Sequence, residues 1–157
     1  MRYVFDFNVI GKIIIDPKYS INKKIAFSPW WSIVKIPDNI IDYYRYLFEK
    51  QYDVKLTKPK WGAHVSFIRG EEPKINIDDW NDFHNKKIKL SYSHDIFYNH
   101  DYVWLKVKSN DLLNIREHFG LQKEHKIGLH ITVGKFDKQY YTSFNSIFDL
   151  IKMRKEN

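Results

Sequence analysis

The sequence predicts an α+β fold: two pseudo-symmetric lobes with antiparallel-rich sheets around a central cleft, and helices on the outside. Three observations carry that expectation. Short β-branched and aromatic runs bounded by Gly, Pro, Asn and Asp alternate with segments of helical period. A strand-helix-strand order occurs twice, as strand 30–36, helix 38–51 and a strand about His64, then as strand 102–108, helix 110–119 and a strand about His130. The last strand of each unit carries one polar pattern, His64-Val65-Ser66 and His130-Ile131-Thr132. Two copies related by a pseudo-two-fold axis would bring these motifs face to face across the cleft.

At 157 residues the chain is expected to be one domain, residues 1–157, large enough to bury roughly 70% of the surface of its unfolded form. A composition 43% hydrophobic and 29% charged is that of a globular chain. The aromatic share of 17% is high enough that some rings can face a ligand. No stretch approaches the ~18 apolar residues of a membrane span, and Met1-Arg2-Tyr3-Val4-Phe5-Asp6 lacks the plan of a signal peptide. The expected setting is therefore cytoplasmic, with no membrane partner. Without cysteine there is neither a disulfide framework nor a thiolate zinc site. A net charge of +7 and a pI near 9.4 favour an anionic partner, a nucleotide or a nucleic acid.

Taken in order, Gly11–Asp16 reads as a buried strand closed by Asp16-Pro17. Trp30–Ile36 is a strand, and Pro37-Asp38 opens a helix with Asp38 as its N-cap. Ile40, Ile41, Tyr44, Leu47 and Phe48 recur at helical spacing and mark its buried face. Lys58-Pro59-Lys60 leads into the first histidine strand. Residues 74–87 read as an irregular or partly helical surface segment anchored by Trp80 and Phe83. Ile88–Tyr92, turn residues Asn99-His100-Asp101 and Tyr102–Lys108 form a hairpin with Val103, Leu105 and Val107 on one side and Tyr102, Trp104, Lys106 and Lys108 on the other. The next helix is capped by Ser109 or Asn110, buries Leu112, Ile115 and Phe119, and stops at Gly120. A last helix is expected from Tyr140, with Tyr141, Phe144, Phe148 and Ile151 on one face and Lys152, Arg154 and Lys155 at its end.

Side chains alternate along a strand, so His64 and Ser66 share one face, as do His130 and Thr132. Two opposed histidines can take a proton from a nucleophile and give one to a leaving oxygen near neutral pH. Neighbouring hydroxyls can donate to the non-bridging oxygens of a phosphate. The same alternation points Arg69 and Lys135 to the opposite face, unless a bulge intervenes.

In these motifs the chain resembles the 2H phosphoesterases, which include 2',5' RNA ligase-like and cyclic phosphodiesterase proteins and whose signature is a duplicated His-x-Ser or His-x-Thr. The resemblance covers roughly Trp30 to Phe136. The flanking Trp61-Gly62-Ala63-His64-Val65-Ser66 and Arg69-Gly70-Glu71-Glu72-Pro73 look like phage members, some of which cleave the cyclic oligonucleotides of bacterial antiviral defence (CBASS). A composition rich in Lys, Asn, Ile and Tyr fits an AT-rich genome such as a phage's; if the chain is phage-encoded, the expected setting is the host cytoplasm. The resemblance implies a metal-independent phosphodiesterase without cofactor, with His64 and His130 as the catalytic pair and Ser66 and Thr132 as their phosphate-binding partners.

The expected substrate is a cyclic nucleotide or oligonucleotide, with RNA as the other partner class. Trp30, Tyr98 and Trp104 are the candidates for stacking on a base. The alternatives are an RNA-end-processing enzyme that opens a 2',3'-cyclic phosphate, and a module that sequesters a nucleotide without turning it over. His84, His94, His100, His118 and His125 have no partner spacing of this kind. A metal site among His94, Asp95, His100 and Asp101 would need two strand ends to converge.

Overall fold

The computed structural model describes residues 4–21 and 24–137, so the helix expected from Tyr140 lies outside the described residues. Among the described residues, nine strands and two α-helices follow one another as β1 (Phe7–Ile15), β2 (Lys18–Ile21), β3 (Lys24–Phe27), β4 (Trp31–Lys35), α1 (Asp38–Tyr52), β5 (Leu56–Thr57), β6 (His64–Arg69), β7 (Lys87–Tyr98), β8 (Tyr102–Lys108), α2 (Asn110–His118) and β9 (His130–Phe136). A 3₁₀ helix, Ile77–Phe83, precedes β7. The fold is α+β, as expected, and its main sheet is antiparallel with the order β5-β9-β8-β7-β1-β4-β6. β2 and β3 form a separate hairpin. The strands expected in two sheets are thus joined into one, because β1 pairs with β4 on one edge and with β7 on the other.

The sheet curls, so that β6 at one end packs against β9 near the other. One contiguous core fills the curl, from Ile13 and Val34 through Val65 and Phe67 to Leu105, Ile131 and Val133. Each such side chain contributes about 1.5–3 kcal/mol by leaving water.

That scale explains how α1 begins. Pro37 occupies the N-cap position and supplies no side-chain cap, which forgoes about 1 kcal/mol. Ile41, Tyr44 and Phe48, at 0%, 7% and 1% exposure, outweigh it. The expected capping role of Asp38 is corrected: its carboxylate instead accepts from the Ala63 N–H at 2.8 Å. Leu47, expected on the buried face, is 37% exposed, and Tyr52 takes its place. In α2, Ser109 is the cap and accepts from the Leu112 N–H at 3.2 Å. The hairpin turn is held by Asn99 Oδ1, which accepts from the N–H groups of Asp101 and Tyr102 at 2.8 and 2.7 Å. Trp80 is buried and donates its indole N–H to Asp16 Oδ2 at 2.7 Å.

Candidate active site

β6 carries the first motif and pairs with β4 in the register Lys35 to His64, Val34 to Val65 and Ile33 to Ser66. Residues directly opposite in a ladder share a face, so Lys35, Ile33 and Trp31 line the same side as His64 and Ser66. Gly62 precedes the strand at φ +66, a left-handed conformation that turns its carbonyl towards the histidine. His64 Nδ1 lies 3.0 Å from that oxygen. A carbonyl only accepts, so Nδ1 carries the proton and Nε2 of the neutral ring is left as the basic atom. Below the turn, Asp38 Oδ1 receives the Ala63 N–H, while Lys35 Nζ donates to Asp38 at 3.2 Å and to the Trp61 carbonyl at 2.7 Å. The Ala63 N–H first, then Lys35 and Lys58, hold the Asp38 carboxyl down to about 2, against an opposing effect of burial.

β9 repeats this arrangement. It pairs with β8 in the register Lys106 to His130, Leu105 to Ile131 and Trp104 to Thr132. Gly128 is at φ +82, and His130 Nδ1 lies 2.9 Å from its carbonyl oxygen. The first contact above each turn also recurs: the Ile36 N–H donates to Ala63 O at 3.2 Å and the Val107 N–H to Leu129 O at 3.0 Å. A lysine opposite a histidine, a histidine tied to a left-handed glycine and a hydroxyl two residues on therefore occur in both strands.

Each strand then bulges at one place. Ser32 pairs with Ile68 but Ile33 with Ser66, which leaves Phe67 as the extra residue; Val103 pairs with Gly134 but Trp104 with Thr132, which leaves Val133. A one-residue bulge reverses the alternation beyond it. The placement expected for Arg69 and Lys135 is accordingly corrected. Both return to the face of their histidines, Arg69 opposite Trp31 and Lys135 opposite Tyr102. Each cation sits over the ring it faces, at 4.9 Å for Arg69 on Trp31 and 5.8 Å for Lys135 on Tyr102.

Trp31 ties the first half together. Its indole N–H donates to Ser66 Oγ at 3.0 Å, which leaves the serine's own proton for another acceptor. Its ring meets Trp61 and His64 edge-on at 5.3 and 6.1 Å. Burial holds the His64 pKa below the ordinary histidine value; the Gly62 carbonyl opposes this, and the charges of Lys35, Arg69 and His130 reinforce it. The strands that carry the two imidazoles, β6 and β9, pack against one another.

A cleft of about 350 Å³ opens beside His130, lined among others by Phe5, Trp104, Lys106, Asn110 and His125. Of the three aromatic residues expected to hold a base, Trp104 is in this wall, where it stacks on Phe97 at 6.2 Å and 23°. Trp30 precedes β4 at φ +56 and packs edge-on to Trp80 at 5.2 Å. Tyr98 packs with Phe48 and Tyr52 at 5.7 and 6.2 Å. A larger hollow of about 630 Å³ between α1 and β7, lined by Lys50, Tyr52, His94 and Asp95 among others, contains neither motif histidine.

His125 is a site residue that sequence spacing did not single out. Its pKa is lowered by burial and by Arg116, against Glu71, and further by His130. Its Nδ1 accepts the Ile127 N–H at 3.3 Å, which assigns the ring proton to Nε2. His84 and His118 are tied into the scaffold, His84 Nδ1 accepting from the Ile15 N–H and His118 meeting Asp79. Among the described residues no group of three His, Asp or Glu side chains gathers as metal ligands do.

Chemically, the arrangement offers an Nε2 atom on each of two strands that pack against one another, a hydroxyl residue two positions on in each, and four cations on the same faces. No protein-family model matches this chain, and neither a curated protein nor a solved structure matches it.

Proposed function

We propose that this chain is a metal-independent phosphodiesterase that cleaves a cyclic nucleotide or oligonucleotide by two-histidine acid and base catalysis. The observation that carries the reading is the repeated Gly-x-His-x-Ser/Thr strand, with each Nδ1 held by a glycine carbonyl at 3.0 and 2.9 Å. The two strand-helix-strand units are then the halves of a pseudo-two-fold site, and the curl of the sheet is the cleft between them.

In this mechanism one neutral imidazole takes the proton of the attacking hydroxyl, whose oxygen forms a bond to phosphorus. As the bond from phosphorus to the leaving oxygen breaks, the other, protonated imidazole supplies the proton that oxygen needs. Ser66 and Thr132 donate to the non-bridging oxygens, where charge grows in the transition state. The depressed pKa of His64 favours its neutral form, which suits it to the role of base in this reading and leaves the role of acid to His130. Arg69, Lys135, Lys35 and Lys106 supply positive charge around an anionic substrate. Trp104 and Phe5 in the cleft beside His130 offer stacking faces for a base. A phage protein that degrades a host antiviral cyclic nucleotide is the setting this reading favours.

The deciding experiment incubates the purified protein, with and without EDTA, with cyclic di- and trinucleotides and with 2',3'-cyclic nucleotides. The His64→Ala and His130→Ala variants are run beside it. The expected result is turnover that EDTA leaves unchanged and either substitution abolishes with little loss of binding. Turnover of 2',3'-cyclic nucleotides alone would favour RNA-end processing. Binding without turnover would favour sequestration, and sensitivity to EDTA would overturn the metal-independent mechanism.

A further inference from the structure

Helices α1 and α2 carry Arg45 and Arg116, each the same number of residues after the lysine that faces its unit's histidine. The contacts they make are exchanged between the units. Arg45, on α1, donates from Nη1 to the carbonyl oxygen of Val133 in β9 at 3.3 Å. Arg116, on α2, donates from Nη1 to the carbonyl oxygen of Phe67 in β6 at 2.8 Å. Val133 and Phe67 are the two bulge residues, and both are fully buried. The guanidinium groups are themselves fixed. Arg45 pairs with Asp42, while Arg116, 1% exposed, pairs with both oxygens of Glu71 at 2.7 and 2.9 Å and donates from Nε to Gln122 O at 2.9 Å.

A bulge takes the backbone of its extra residue out of the regular ladder, and a buried carbonyl needs a donor. The guanidinium is that donor, and it comes from the other unit's helix. Without it the strand can relax towards regular pairing, which turns every residue beyond the bulge to the opposite face. The cation at that point is Lys135 in β9 and Arg69 in β6.

We propose that Arg45 and Arg116 are positioning residues acting crosswise, Arg45 holding Lys135 on the face of His130 and Thr132 and Arg116 holding Arg69 on the face of His64 and Ser66, a role that rests on the two-histidine reading of the site. Each half of the site is thereby completed only when the other half is folded against it.

The test is imidazole NMR of the full chain, with the two motif histidines assigned from His64→Ala and His130→Ala, in Arg45→Met, Arg45→Lys, Arg116→Met and Arg116→Lys. Phosphodiester turnover is measured alongside. The expected result is crossed: Arg45→Met moves the resonances and titration midpoint of His130 more than those of His64, and Arg116→Met does the reverse. Turnover falls about tenfold or more, since misplacement on the ångström scale is costly, and the lysine variants recover part of it. Equal effects on both histidines, larger effects on the histidine of the same unit, or none, would overturn the crosswise role. Should Arg116→Met fail to fold, Arg45, whose side chain is 15% exposed, decides the matter by itself. If the wild type turns over no phosphodiester, the proposed activity fails while the crossed titration still stands or falls independently.

Discussion

The indole N–H of Trp31 donates to the hydroxyl of Ser66 across 3.0 Å, and the same ring carries the Arg69 guanidinium. One buried side chain thus orients the hydroxyl and the cation of the first half. Trp31→Phe keeps the aromatic bulk but removes the donor and part of the platform. The expected cost is about 1–3 kcal/mol of stability, read by urea unfolding, with a fall in turnover larger than any fall in binding. Unchanged turnover in a folded variant would remove Ser66 orientation from the mechanism.

The two turn glycines differ in what surrounds them. A Cβ at Gly62 would stand 2.4 Å from Asp38 Oδ1 and 2.5 Å from Lys35 Nζ, whereas at Gly128 nothing lies within 4 Å. Both residues have positive φ, so each alanine variant carries roughly 1–2 kcal/mol of backbone strain. Gly62→Ala should additionally push aside the carboxylate that holds the Ala63 N–H. It is expected to lower the melting temperature and disturb the His64 titration more than Gly128→Ala disturbs that of His130. Comparable effects from the two would show that the Asp38 network does not hold the turn.

The His64 pKa lies below the ordinary histidine value of 6.5. A base with a depressed pKa stays unprotonated to lower pH, so the acid limb of kcat/KM should fall off below the ordinary histidine range. The same shift makes the unfolded chain bind more protons than the folded one. The stabilising contribution is complete above pH 6.5 and is lost as the pH drops through the folded pKa. An acid limb centred above 6.5 would reverse the assignment of His64 as base.

Asp38 behaves similarly in a lower window. Its carboxyl is held at about 2 against an ordinary value of 3.8, so its contribution is present above 3.8 and disappears as the pH falls towards 2. Asp38→Asn should flatten the dependence of stability on pH in that interval, measured by urea unfolding at stepped pH. An unaltered slope would contradict this account. The effect is small, because the side chain is 43% exposed and its ion pairs are screened.

Arg69→Gln and Lys135→Gln each remove one cation from the site faces. For a phosphodiester substrate, each is expected to raise KM about tenfold at low ionic strength, and the difference from wild type should shrink as salt is added. Variants indistinguishable from wild type at low salt would place the substrate's phosphates elsewhere.

Much of this was legible in the residues. Alternation along Tyr102–Lys108 correctly separates Val103, Leu105 and Val107, all buried, from Trp104 and Lys106 on the site face. The strand-helix-strand order was equally readable, and of the two caps open for α2, Ser109 or Asn110, the structure takes Ser109. The bulges were not, because the extra residues Phe67 and Val133 are apolar and fit a regular strand as well as a bulged one, and so the faces of Arg69 and Lys135 came out reversed. Trp30 and Trp31 are adjacent in sequence; the positive φ of Trp30 starts β4 one residue late and makes Trp31 the site residue. Arg45 and Arg116 sit in helices whose patterning reads only as amphipathic, and nothing local indicates a partner in a distant strand. His125 escaped for the same reason.

The curl of the sheet has a mechanical consequence. β6 and β9 are separated in the hydrogen-bonded order by β4, β1, β7 and β8, yet they meet across it. How closely β6 and β9 approach one another is therefore an attribute of curvature, set by the four strands between them. Gly11 in β1 lies where a Cβ would come within 2.4 Å of Val34 and 2.8 Å of the Lys35 carbonyl, in the strand next to β4, whose Lys35 pairs with His64. If the proposed site is right, the span of ligand between the histidines would be set from the middle of the sheet, and changes in β1 and β7 would alter it while both motifs stay unchanged.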